Sequence, residues 1–162
     1  MLNNTSRCRL WLALIASACT FLLSPGLCAK TYAMPKGQLN KQLSEAMAKV
    51  RDGKTLMSRT DAAERLATLT RRANPQKVDE PTLTEIISLL DTQEDSVRFW
   101  VAAALGNLGP RAKVAVPRLL KLLSEVDCLR GSLTSASAIR VALKRMGEKP
   151  PPRPNCDATR GR

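Results

Sequence analysis

Asp91, Glu94 and Asp95 place three carboxylates within one short stretch, the kind of crowding in which a paired general acid and base is worth seeking. The same composition is usual where a helix begins, because the positive end of the helix dipole favours acids there. The rest of the chain decides between the two readings. It contains no histidine at all, which removes the commonest general base, the commonest metal ligand and the usual near-neutral pH switch. No glycine-rich phosphate loop, Cys/His pair or cluster with metal-ligand spacing occurs. The sequence therefore predicts no catalytic residue, no metal and no cofactor. What it offers instead is recognition chemistry.

Two features carry that chemistry. Phe99 and Trp100 are adjacent in a chain whose aromatic share is only 3%, and large aromatics are typical anchors of protein interfaces. They can equally fill a groove against a neighbouring helix. Arg140, Lys144 and Arg145 lie together near the C-terminus, with Arg140 and Lys144 four apart and so on one helix face. They suit an anionic surface, or simply a solvated cap on the last helix.

The formal net charge of +12 is unevenly spread. From Met34 to Val97 there are ten Lys/Arg and ten Asp/Glu, whereas from Arg98 onward there are thirteen against four. A one-sided positive field favours an acidic protein face, phospholipid, polysaccharide or nucleic acid.

Residues 1–33 have the layout of a secretory signal peptide. Arg7 and Arg9 precede the apolar run Leu10–Leu23, Pro25-Gly26 breaks it, and Thr31-Tyr32-Ala33 fits cleavage after Ala33, with Ala29 and Cys28 as the alternatives. The run is shorter than the roughly 20 residues a membrane span needs. Ala16-Ser17-Ala18-Cys19 resembles a bacterial lipobox, so lipid anchoring at Cys19 is the alternative to free export. Export argues against nucleic acid as a partner. Of five cysteines, Cys128 and Cys156 remain beyond the leader, and an even pair in an oxidising compartment reads as one disulfide or as two free thiols.

These residues must be held by helices. Few aromatics and much alanine and leucine suit closely packed helices better than sheets. Leu83, Ile86, Ile87, Leu89 and Leu90 recur at helical spacing, and Thr82-x-x-Glu85 offers a capping box behind Pro81. Val97, Val101, Leu105 and Leu108 form a second stripe that Gly109-Pro110 stops. The chain also repeats itself. Ile86–Leu90 overlays Leu119–Leu123 at an offset of 33, and Val101–Gly109 overlays Ile139–Gly147 at an offset of 38. Arg59–Leu66 overlays Arg98–Leu105 at 39. Three helical pairs follow, 38–52 with 59–73, 82–91 with 96–108, and 113–124 with 134–147. No pair can bury both its apolar faces alone, so the pairs must stack.

The stretch Asp95-x-Val97-Arg98-x-x-Val101-Ala102-x-Ala104-Leu105-Gly106-x-Leu108-Gly109, followed by Ala115-Val116-Pro117-x-Leu119-x-x-Leu122-Leu123, resembles the HEAT repeat and the HEAT-like motifs named after phycobilisome lyases. The resemblance implies an all-α fold, a short α-solenoid of about three antiparallel pairs whose second helices line a concave face. It implies binding or scaffolding as the role, and for Arg98 a bond to Asp91 or Asp95. The organisation expected is a leader over 1–33, a degenerate first pair over 34–80, HEAT-like repeats over 81–148 and a basic Pro-rich tail over 149–162. The function expected is an exported, non-enzymatic adaptor binding a protein through Phe99, Trp100 and Asn107. The alternatives are a basic module on lipid or polysaccharide using Arg140, Lys144 and Arg145, and a lyase or chaperone-like helper.

Overall fold

A computed structural model describes residues 36–128, 133–154 and 156. Met34–Arg162 forms one compact unit. The expected leader, its cleavage sites and Cys19 lie outside the described residues. Among the described residues six α-helices follow in order: α1 Lys36–Asp52, α2 Leu56–Arg72, α3 Glu80–Ser88, α4 Asp95–Leu108, α5 Val116–Val126 and α6 Ser135–Arg145. Short 3-10 segments at Pro75–Lys77, Leu89–Asp91 and Gly109–Ala115 join them. No strand occurs among the described residues, and none of their helices is long and apolar enough to cross a membrane.

The helix starts follow local chemistry. Thr55 caps α2 by accepting from the Ser58 amide at 3.1 Å, and Thr134 caps α6 through the Ser137 amide at 3.4 Å. The expected capping box at Thr82 is not formed. Asp79 caps α3 instead, accepting from the Thr82 amide at 2.9 Å, and Glu85 pairs with Arg51 of α1 at 2.5 Å. Pro81 explains the shift, since a proline fits only in a helix's first turn and so draws the start upstream of itself. Pro117 acts likewise on α5, which begins at Val116 rather than near residue 113.

The helices form two rows. α2 packs extensively on α4, and α4 on α6, making an inner row; α1, α3 and α5 lie outside them, with α1 packed on α2 and α5 on α6. This is an all-α helical-repeat architecture, and burial keeps its register. Ala62, Ala63 and Leu66 of α2 are buried, as are Val101, Ala102 and Leu105 at the matching places in α4. Ile139, Ala142 and Leu143 of α6, and Met146 just beyond it, are buried where α4 has Val101, Ala104, Leu105 and Leu108. The two glycines that end these helices, Gly109 and Gly147, both take positive φ, 55° and 86°, which a side chain would resist. Ile86, Leu89 and Leu90 in the outer row likewise match Leu119, Leu122 and Leu123.

Inner helices approach closely because small residues face each other. A Cβ built on Gly106 would stand 2.9 Å from the Ala142 Cα. Side-chain hydrogen bonds between pairs then span about one repeat. Arg59 pairs with Glu94, the Thr60 and Ser96 hydroxyls lie 3.0 Å apart, and Asn40 donates to Asp79 at 2.8 Å. Asp95, at the start of α4, accepts from the Ser135 amide at 3.2 and 3.3 Å and from its hydroxyl, so one inner helix caps the next.

The tail closes the last pair. Cys156 returns to disulfide distance of Cys128, with Cα atoms 5.5 Å apart. Beneath it Arg140 forms a two-pronged pair with Asp127 and donates to the Pro151 carbonyl at 2.6 Å.

Asp79 and Glu94 are carboxyls whose titration is shifted mainly by hydrogen bonds from their own segments. The Thr82 hydrogen bonds hold Asp79 below the usual carboxylate range, and the Thr92 hydroxyl, then Arg59, does so for Glu94. A depressed folded pKa contributes stability above the unfolded value near 4, lost as pH falls through the folded value. Asp79→Ala should therefore cost about 1 kcal/mol at pH 7, a helix-cap loss, and progressively less below pH ~4. Urea titrations of both proteins across that range check this; a pH-independent difference contradicts it.

Candidate functional face

The outward side of the inner row is built around α4. Helical spacing sends Val97, Val101, Leu105 and Leu108 inward and leaves Ser96, Phe99, Trp100, Ala103 and Asn107 partly exposed along the other side. Phe99 and Trp100 are turned edge-to-face, their ring centroids 5.0 Å apart at 85°. Each ring walls a groove. Between α4 and α6 lies an open groove of about 300 Å³ bounded by Phe99, Ala103, Leu133, Val141 and Arg145. Between α2 and α4 lies one of about 210 Å³ bounded by Glu64, Thr68, Arg71, Trp100, Asn107 and Arg145. Ala103 and Arg145 border both, so the two grooves adjoin across α4. Leu133 is 76% exposed and Val141 48%, which leaves the first groove with an apolar rim facing water.

A larger hollow of about 380 Å³ sits at the opposite ends of the helices, among Val50, Arg51, Arg59, Leu89 and Glu94. Its charged groups are already engaged, Arg51 with Glu85 and Arg59 with Glu94. It has little left to offer a ligand.

The residues singled out from sequence fall in different places. Phe99 and Trp100 share the inner face. Asn107 is there too, but its amide donates to the Ala67 carbonyl at 2.9 Å while its oxygen accepts from Arg145 at 2.7 Å. It thus ties α2, α4 and α6 together and positions Arg145. The basic trio separates. Arg140 points toward α5 and the tail, its side chain 12% exposed and its charge met by Asp127. Lys144 is exposed with no ion pair among the described residues, and Arg145 belongs to the inner face. A single patch of all three does not form, because Asp127 claims Arg140.

The acids near residue 91 are likewise structural. Arg98 donates to the Thr92 carbonyl at 2.6 Å rather than to Asp91 or Asp95, since Asp91 pairs with Arg118 and Asp95 caps α6. Sequence reasoning missed Glu64, Thr68 and Arg71. Their spacing of four and three residues does mark one face of α2, but the first pair matches the repeat too weakly to show which face looks inward. Leu133 and Val141 were missed for a different reason: each reads as an ordinary core leucine or valine until the end of the stack leaves it uncovered.

No family model, curated protein or solved structure matches this chain.

Proposed function

We propose that the chain is an exported, non-enzymatic helical-repeat adaptor that binds another protein through the inner face of α2, α4 and α6. The observation that carries this reading is the Phe99–Trp100 pair, two of the few aromatics in the chain, set edge-to-face between two adjoining open grooves. Aromatic rings on an open face give large contact area with little conformational freedom to lose on binding. The resemblance to HEAT repeats, in which the second helices line the binding face, points the same way. For export the support is the leader pattern over 1–33, together with Cys128 and Cys156 at a distance compatible with an oxidising compartment.

The alternative of a basic module on lipid or polysaccharide keeps Lys144 and Arg145 but loses Arg140 to Asp127. The lyase or chaperone-like reading has no supporting residue cluster among the described residues.

A photo-crosslinking residue at Ala103, on the inner face, is compared with one at Lys121, exposed on the outer helix α5. In the cells that make the chain, the inner probe should yield a discrete protein adduct that Trp100→Ala removes, and the outer probe none. Adducts only from the outer probe would overturn the reading. Binding to anionic vesicles that disappears at high salt, with no protein adduct, would favour the alternative.

A further inference from the structure

The two inner grooves differ in chemistry, and the difference specifies what kind of protein segment fits them. The α4/α6 groove presents Phe99, Leu133 and Val141, three apolar walls with Arg145 at the rim. The α2/α4 groove carries Arg71 and Arg145 toward one end, level with Asn107, with Glu64 and Trp100 toward the other. Glu64 and Arg71 are seven residues apart on α2, so about 10 Å separates them along the helix axis. The groove therefore has an electrical polarity along its length.

The two arginines are suited to receive an anion. Arg71 makes no hydrogen bond or ion pair among the described residues, and Arg145 uses one donor on Asn107 while its guanidinium carries several. Both lie in the last turn of their helices, where the negative end of the helix dipole favours a cation. Asn107 fixes the Arg145 guanidinium on the face, so the cation is pre-positioned before any ligand arrives. A guanidinium matches a planar carboxylate by paired hydrogen bonds.

A continuous polyanion suits the face less well. Glu64 would repel it at the far end, and the Phe99–Leu133–Val141 groove would leave a phosphodiester without partners. A carboxylate next to an apolar side chain meets both grooves at once. We infer that the inner face takes a short acidic–apolar segment of a partner protein, an Asp or Glu side chain engaging Arg71 and Arg145 at the Asn107 end of the α2/α4 groove, the segment running on past Trp100, and a neighbouring apolar side chain entering the α4/α6 groove. This inference rests on the inner face being the docking surface.

The test uses the purified full chain against a displayed library of random peptides, with enriched peptides resynthesised and measured by fluorescence anisotropy. Enriched sequences should pair Asp or Glu with Leu, Ile or Phe a few residues away. Arg71→Glu should weaken such a peptide at least about tenfold, the size expected for losing a charge-assisted hydrogen bond and adding repulsion. The same peptide with its acid changed to lysine should regain affinity for Arg71→Glu. Trp100→Ala should weaken both.

The outcomes distinguish the docking face from its preference for acid. Peptides that depend on Trp100 but are neutral or basic, or that ignore Arg71→Glu, overturn the acidic-segment inference and leave the docking face standing. Peptides indifferent to Trp100→Ala overturn the docking face itself. A library that enriches nothing overturns the inference as well.

Discussion

Replacing Gly106 with alanine destabilises this protein by about 1–3 kcal/mol, the range for overpacking a close-fitted interior. In an exposed helix the same change would stabilise by about 1 kcal/mol, because glycine is the weaker helix former. The sign reverses here because the new methyl would stand 2.9 Å from the Ala142 Cα and 3.1 Å from its Cβ. The first of these is a backbone atom, so α4 and α6 must move apart rather than a side chain turn aside. Ala142→Gly in the same chain should recover only part of the loss, since the new methyl would still press on the backbone of residue 142. Gly106→Leu should exceed Gly106→Ala and cost the cooperative transition itself. Chemical denaturation of the three variants checks the series. A Gly106→Ala protein as stable as the parent, or more so, would mean that α4 and α6 do not meet here.

The second large effect is at the other end of the last pair. Joining Cys128 to Cys156 closes a loop of 28 residues, and the entropy of closing such a loop corresponds to about 3.5 kcal/mol. Reduction, or Cys128→Ser with Cys156→Ser, should remove most of that and free the Pro-rich tail from Arg140. The carbonyl of Pro151 would then leave the guanidinium, while the Arg140–Asp127 pair, largely buried at 12% and 8% exposure, should persist. Thermal melts with and without reductant measure the loss, and thiol labelling of the unfolded chain reports whether the two sulfurs are bonded at the outset. A melting temperature indifferent to reductant would mean that the tail adds nothing to stability.

Prediction from sequence goes furthest where periodicity and backbone chemistry agree. Val97, Val101, Leu105 and Leu108 give the buried stripe of α4 directly, and Gly109 and Gly147 mark equivalent helix ends 38 residues apart because only glycine adopts their positive φ easily. The approach of Cys128 to Cys156 is likewise legible in the sequence, as the one cysteine pair left beyond the leader pattern. Helix starts are less legible. Asp79 and not Thr82 caps α3, because two competing caps three residues apart are decided by the position of Pro81. Least legible are the side-chain partners. Nothing in the spacing of Arg140 and Lys144 reveals that Asp127 will neutralise the first and spare the second. Asn107 reads as a ligand-binding residue until its two bonds, to Ala67 and Arg145, are seen to join three helices. Long-range partners of this kind depend on how neighbouring pairs stack, and a one-dimensional pattern holds only the stripe that makes them stack.

Both the docking face and the acidic-segment inference depend on the inner helices meeting side by side. The most direct measurement is a methyl nuclear Overhauser spectrum of the chain labelled at alanine. It should show a strong cross-peak between the Ala142 methyl and the Gly106 α-protons, because a Cβ on Gly106 would lie within 3.1 Å of that methyl carbon. If the Ala142 methyl instead meets residues of other helices, and the Gly106 α-protons see nothing of α6, the stacked row and the face it presents are wrong.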